Sequence, residues 1–341
     1  MKYKGINYDT GTRTTKGGIT RETFDPAIVT KEIAIIKNEL NCNAIRVSGL
    51  HIDRIATASE IALKMGLTVW FSPSLQYESQ GETFEYLISG AVAAEKLRAE
   101  FSDVIYVAGC ELSIFTAGFV KGAAWGDRLK NLFNPISLVK NLIGISRAYN
   151  RKLNSFLAAL TAQIRKNFRG QITYASGTWE KINWDMFDII GIDHYRASFN
   201  KAIYLKELKH YIALGKPVSI MEFGCCTYKG ADDKGAIGWN IVDWSKPKPE
   251  LKGDYQRDEE TQANYLLALL TIFEEEKTLA AFAFTFVFYN YAYDEQPKYD
   301  LDMASYGIVR PMQGPNDESY KGLPWLPKLA FFQLGKFYNS H

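Results

Sequence analysis

Eight short apolar runs, spread along the whole chain and separated by helical or looped stretches, constrain this sequence more than any other feature. They are Tyr3 to Tyr8, "AIRVS" (44–48), "LTVWFSP" (67–73), "VIYVAGCE" (104–111), "QITYAS" (171–176), "DIIGIDHY" (188–195), "PVSIMEFG" (217–224) and "LAAFAFTFVF" (279–288). Most are continuous rather than alternating, as expected of parallel strands covered on one face by helices and on the other by a closed interior. Helical periodicity fills the gaps: Ile28, Ile33, Ile36 and Leu40 follow Pro26, a residue suited to a helix start. A helix over Ile52–Met65 is stopped by Gly66, and one over Thr83–Phe101 is opened by a threonine cap. Further helices are expected from Ser146 to Phe168, Lys201 to Leu214, Asp258 to Glu276 and over 326–338.

Eight such βα units in 341 residues predict an α/β fold, a (β/α)8 TIM barrel forming a single domain over 1–341. Long loops are expected after strands four (112–145), seven (225–257) and eight (288–322). A doubly wound sheet would want a G-x-G-x-x-G turn after its first strand; "GINYDTGTRTTKGG" lacks that spacing.

Charge and cysteines narrow the function. Forty basic against 38 acidic side chains leave a net charge of +2. That balance gives no electrostatic reason to expect nucleic acid or an anionic membrane as partner. The four cysteines, Cys42, Cys110, Cys225 and Cys226, show no paired metal-ligand spacing. A site gathering His194 with Cys110, Cys225 and Cys226 matches no compact zinc pattern, so neither metal nor cofactor is expected. Reduced thiols, no apolar leader and no run of about 18 apolar residues point to a cytoplasmic protein that does not span a membrane.

Reactive groups in such barrels stand at the C-terminal strand ends. Those ends carry Arg46 on strand two, Cys110 and Glu111 on strand four, Asp193, His194 and Tyr195 on strand six, and Glu222 on strand seven. Strands three and eight are aromatic, with Trp70 and Phe286 among their residues. Strands four and seven lie three positions apart, so both glutamates can enter one mouth. Two carboxyl groups about 5–5.5 Å apart are what a retaining glycosidase needs, one as acid/base and one as nucleophile. Close approach of a second carboxylate favours the neutral acid, and a nearby arginine favours the ionised nucleophile. Of Asp193 and His194, alternation lets only one face the mouth, and His194 ranks above the aspartate.

Through these residues the chain resembles clan A of the glycoside hydrolases, (β/α)8 retaining enzymes with glutamates ending strands four and seven. The resemblance spans roughly residues 3–338. It implies Glu111, in "VAGCE", as acid/base and Glu222, in "IMEFG", as nucleophile. It also implies Arg46 as the arginine that positions the nucleophile, Tyr195 as its hydrogen-bonding tyrosine, and His194 as a substrate contact. Phe286 or Phe288 would take the place of the strand-eight tryptophan that serves as a sugar platform. Two departures stand out: Cys110 replaces the asparagine that usually precedes the acid/base, and phenylalanine replaces the tryptophan. Losing the contact to a sugar 2-hydroxyl costs several kcal/mol in the transition state, so a divergent substrate or a non-hydrolytic descendant follows as an alternative.

The substrate expected is a carbohydrate: a glycoside, oligosaccharide or polysaccharide cleaved at an O-glycosidic bond with retention. Trp125, Trp179, Trp239 and Trp244 lie in the long segments and offer faces for sugar stacking; at least one should touch substrate. A non-catalytic carbohydrate-binding or defence-related protein on the same barrel is the first alternative. A phosphate-handling isomerase or aldolase is the second, although no glycine-rich anion site follows strands seven and eight.

Overall fold

The computed structural model describes residues 1–14, 18–133, 146–314 and 320–341. Eight parallel strands close into a barrel: β1 (Tyr3–Asp9), β2 (Ala44–Gly49), β3 (Thr68–Pro73), β4 (Val104–Cys110), β5 (Ile172–Gly177), β6 (Ile190–Asp193), β7 (Val218–Phe223) and β8 (Ala280–Ala283). Each strand pairs with its neighbours in chain order, and β1 closes the ring, with Ile6 opposite Ile45 of β2 and Ala283 of β8.

Alternation along the strands builds two apolar layers. Inside the barrel, Ala44, Trp70, Ile105, Val107, Ala175, Met221, Ala280 and Phe282 pack on one another. Ile6, Ile45, Phe71, Ile190, Ile192 and Ile220 belong to the larger cluster in which the strands pack against the helices. Those helices are α1 (Pro26–Asn38), α2 (Ile52–Lys64), α3 (Gln80–Phe101), α4 (Leu112–Phe115), α5 (Trp125–Phe133), α6 (Ser146–Asn167), α7 (Tyr204–Ile212), α8 (Glu259–Glu275) and α9 (Leu329–Ser340). No described helix is long and apolar enough to cross a membrane.

Local chemistry sets most boundaries. Asp25 caps α1 by accepting from the Ala27 N–H, with Pro26 at the first helical position, where its missing N–H leaves nothing unsatisfied. Asp258 caps α8 in the same way. Helix α3 begins before the expected threonine cap, because Ser79 and Glu82 form a reciprocal capping box and Thr83 is buried inside the helix. Strand β8 ends earlier than its apolar run, since the Phe286 N–H turns to the Asn7 carbonyl.

The segment expected as a loop over 112–145 contains α4 and α5, and its part beyond 133 lies outside the described residues, as does 315–319 of the last loop. Between β8 and α9 lies a short antiparallel pair, Val309–Pro311 with Trp325–Pro327, so the last helix starts at Leu329 rather than 326.

Candidate active site

Two bulges aim the reactive groups. In β4, Val107 pairs with Thr173 but Cys110 with Ala175, so the strand carries one extra residue. Gly109 sits there at φ +106°, a backbone that glycine adopts without penalty. The shift in phase turns Cys110 inward; strict alternation from Val107 would have turned it out. In β7, Ile192 pairs with Ile220 but Asp193 with Glu222, so Met221 and Glu222 both face the interior. Met221 fills the barrel, and Glu222 emerges above it.

Glu222 is held by three neighbours. The Arg46 guanidinium donates to Oε1 at 3.0 Å, the Tyr195 hydroxyl to Oε2 at 3.1 Å, and the Cys110 thiol to Oε1 at 3.6 Å. Arg46 is 2% exposed and further donates to Ser72 Oγ and the Met221 carbonyl. Leaving such a buried guanidinium unpaired would cost several kcal/mol. The Asn7 amide donates to the Met221 and Phe282 carbonyls, bracing β7 against β8 at this level. Burial, reinforced by Glu222, pushes the Tyr195 hydroxyl well above its usual range and keeps it a donor.

Asp193 completes the group. Its Oδ2 lies 3.5 Å from the Cys110 sulfur, whose single proton is shared between this oxygen and Glu222 Oε1, and the ligating atoms of Cys110, Asp193 and Glu222 all lie within 4.8 Å of one another. Burial, then the Glu222 charge, pushes the Asp193 carboxyl well above the ordinary aspartate range, against the pull of Arg46. The Cys110 thiol rises for the same two reasons, burial and neighbouring carboxyls, and stays protonated. A metal ion fits these three ligands poorly, because the oxygen it would share on Glu222 already faces the fixed charge of Arg46.

Glu111 follows the β4 bulge in a left-handed conformation, φ +44°, at the head of α4. Groups from β5 and the turn after it hold that conformation. The Tyr174 hydroxyl accepts from the Leu112 N–H, Glu180 accepts from the Ser113 N–H and the Tyr174 hydroxyl, and the Trp179 indole donates to Ser113 Oγ. Burial, followed by the neighbouring carboxyls of Asp193, Glu222 and Glu180, pushes the Glu111 carboxyl well above the usual glutamate range.

The other expected site residues lie elsewhere. His194 points away from the mouth: its ring stacks on Tyr204 of α7 at 4.0 Å, and burial lowers its pKa to about 4. Alternation on β6 gives the inward place to Asp193, reversing the expected ranking. Trp70 is fully buried, edge-on to Phe282 at 4.9 Å, and forms the floor beneath the cluster. Phe286 is also fully buried, packed on Tyr8 and Trp325 behind the barrel. The β8 alternation stops at Ala283, so half-buried Phe284 and Phe288, 5.4 Å apart, stand at this strand end instead. Trp179 packs with α5 and Tyr149 at the rim. Cys225 and Cys226 are buried free thiols, and Cys226 donates to the Ala304 carbonyl. Glu180 was not anticipated; its only sequence signal is a carboxylate three residues after the end of β5.

A closed eight-stranded parallel barrel ringed by helices, with carboxyls at its C-terminal strand ends, is a (β/α)8 barrel. Solved structures of several glycoside hydrolases share this fold along the chain. A GH113 β-1,4-mannanase in complex matches with a TM-score of 0.62 at 14% identity, covering 100% of both chains. The GH113 β-mannanase AaManA from Alicyclobacillus acidocaldarius, in complex with ManMIm, gives 0.60 at 13%, covering 99% of this chain and 97% of that one. A β-glucuronidase from an uncultured Clostridium gives 0.57 at 15%, covering all of this chain and 51% of its own. No protein-family model and no curated protein sequence matches the chain.

Proposed function

We propose that the protein is a retaining glycoside hydrolase, with Glu222 as nucleophile and Glu111 as acid/base. The observation that carries this reading is the contrast between the two glutamates: Glu222 has oxygens bound by Arg46 and Tyr195, whereas Glu111 is pushed toward its neutral form. A carboxyl fixed in place by two donors beside one driven toward its neutral form supplies a nucleophile and an acid. The fold shared with mannanases and glucuronidases supports the class of reaction.

In the first step a Glu222 oxygen bonds to the anomeric carbon while the bond to the leaving oxygen breaks. The Glu111 proton moves to that oxygen, and an alcohol departs. The Glu111 carboxylate then takes a proton from water as the water oxygen attacks the anomeric carbon. The ester to Glu222 breaks, and both groups return to their starting states. Two inversions give net retention. Positioned proton transfer of this kind contributes about 10²- to 10⁴-fold. Arg46 and Tyr195 hold the nucleophile, and Asp193 and Cys110 stand beside it, within reach of a substituent next to the anomeric carbon.

The test is turnover of a panel of aryl glycosides by wild type, Glu222→Gln and Glu111→Gln. Loss of about 10³-fold or more is expected for Glu222→Gln. Glu111→Gln should lose less on phenols that leave without protonation. The wild-type rate should fall on the alkaline side as Glu111 ionises, well above pH 4.5. Equal turnover by all three proteins would reject the assignments. A carbohydrate-binding protein without turnover is the second reading. Cys110 favours it, because a thiol is a weak donor where a sugar hydroxyl wants an amide; it predicts sugar binding by wild type with no turnover of any glycoside.

A further inference from the structure

We infer that the site takes the free non-reducing end of its substrate, removing one terminal sugar at a time, rather than binding across the middle of a chain. This inference rests on the glycoside hydrolase reading and concerns the shape of the mouth. Cleaving within a chain requires a groove that leaves the mouth on two sides, with a gap between neighbouring loops at each exit. Among the described residues, the segments after β1, β3, β4, β7 and β8 instead join one another in a ring.

The segment after β1 meets the segment after β3 through the Arg13–Glu78 ion pair. The segments after β3 and β4 are sewn together by two backbone bonds, Tyr77 N–H to the Phe115 carbonyl and Ala117 N–H to the Glu78 carbonyl. On the far side the segments that follow β4 and β7 meet each other: the rings of Trp125 and Trp239 lie 5.5 Å apart. The segments after β6 and β7 bond through Ser198 N–H and the Asp233 carbonyl. Trp244 then packs edge-on against Tyr291, after β8, at 5.4 Å.

The last junction, between the segments after β8 and β1, is anchored in the fold. Arg21 lies over the Tyr289 ring at 4.9 Å, and both side chains bond Glu32. Glu32 is itself fully buried and also accepts from the Trp325 indole. A buried ion pair of this kind resists opening, because separating it exposes an unpaired charge inside the protein. This network has no part in the reaction; by tying the segments after β8 and β1 to α1 it fixes that junction of the collar.

A closed collar admits a chain end and the group attached to it, with Trp125 and Trp239 flanking the opening on one side. Sugar rings stack on such faces, so the two tryptophans suit the unit on the leaving side.

The test begins with the sugar whose aryl glycoside wild type turns over best. Its linear oligosaccharide of about six units is labelled at the reducing end, with and without a bulky cap on the non-reducing end. Stepwise release of monosaccharide, leaving labelled products one unit shorter each time, is expected, and the capped chain should be inert. Opening the collar with the Trp125→Ala, Trp239→Ala double substitution should raise internal cleavage relative to end release by roughly tenfold, about 1.4 kcal/mol. Labelled products from internal cuts by wild type, or equal cleavage of capped and uncapped chains, would overturn the inference while leaving the hydrolase reading intact.

Binding of the same two oligosaccharides to Glu222→Gln, followed by calorimetry, gives a readout without turnover: equal affinity would also overturn it. Absence of both turnover and binding for every sugar would instead reject the glycoside reading beneath it, and the inference with it.

Discussion

Replacing Gly109 by alanine tests how the β4 bulge aims Glu111. Gly109 has φ +106°, and a Cβ built there would lie 2.9, 3.0 and 3.1 Å from three side-chain atoms of Leu112. An L-residue in left-handed backbone costs about 1–2 kcal/mol. Leu112 is 3% exposed and cannot swing into solvent, so accommodating the methyl adds about 1–3 kcal/mol of overpacking. The expected loss is therefore about 2–5 kcal/mol.

Gly215→Ala is the control. Gly215 also has positive φ, +78°, but no atom lies within 4 Å of its Cβ, and it precedes β7 at the opposite end of the barrel. It should lose only the backbone part, about 1–2 kcal/mol. Urea denaturation of both variants measures the difference. Aryl glycoside turnover at a temperature where both are folded measures the second consequence. Shifting the turn that carries Glu111 by about 1 Å should lower kcat on the order of 10²-fold, while Gly215→Ala keeps the wild-type rate. A Gly109→Ala protein as stable as the control, with unchanged kcat, would refute the claim that this bulge positions Glu111.

Two further outcomes follow from the charges in the mouth. Burial raises the Asp193 carboxyl in the folded state, so the folded protein keeps a proton that the unfolded chain releases above about pH 3.9. That contribution to stability is complete below this value and is lost as pH rises through the folded-state pKa. Asp193→Asn should flatten this decline, measured as the denaturation midpoint from pH 4 to pH 8; an unchanged slope would count against a protonated Asp193. Arg46→Met leaves Glu222 in the mouth without its guanidinium and should lower stability by about 3–5 kcal/mol, with much of the loss recovered when Glu222→Gln is added. A double variant no more stable than Arg46→Met would show that the pairing matters little.

Legibility from sequence divides along a physical line. Apolar runs and helical periodicity are local properties, and they carried the eight strands, the helix order and the placement of Arg46, Tyr195 and Glu222 at one end of a barrel. Caps are local too: Asp25 before Pro26 and Asp258 before α8 act within a few residues of themselves.

Where a side chain points at the end of a strand depends on register with the neighbouring strand, which no single segment encodes. The extra residue at Gly109 turns Cys110 inward, and the one at Met221 turns Glu222 into the mouth. The end of pairing at Ala283 sends Phe286 behind the barrel. On β6 the choice between Asp193 and His194 was decided by Tyr204, whose ring from α7 offers the histidine a stacking partner outside the barrel. The collar is the furthest from sequence of all. Trp125 and Trp239 stand 114 positions apart, and only the closure of the barrel brings their rings to 5.5 Å. Sequence determined which chemical groups stand at the strand ends; tertiary structure decided which of them enter the mouth and face one another.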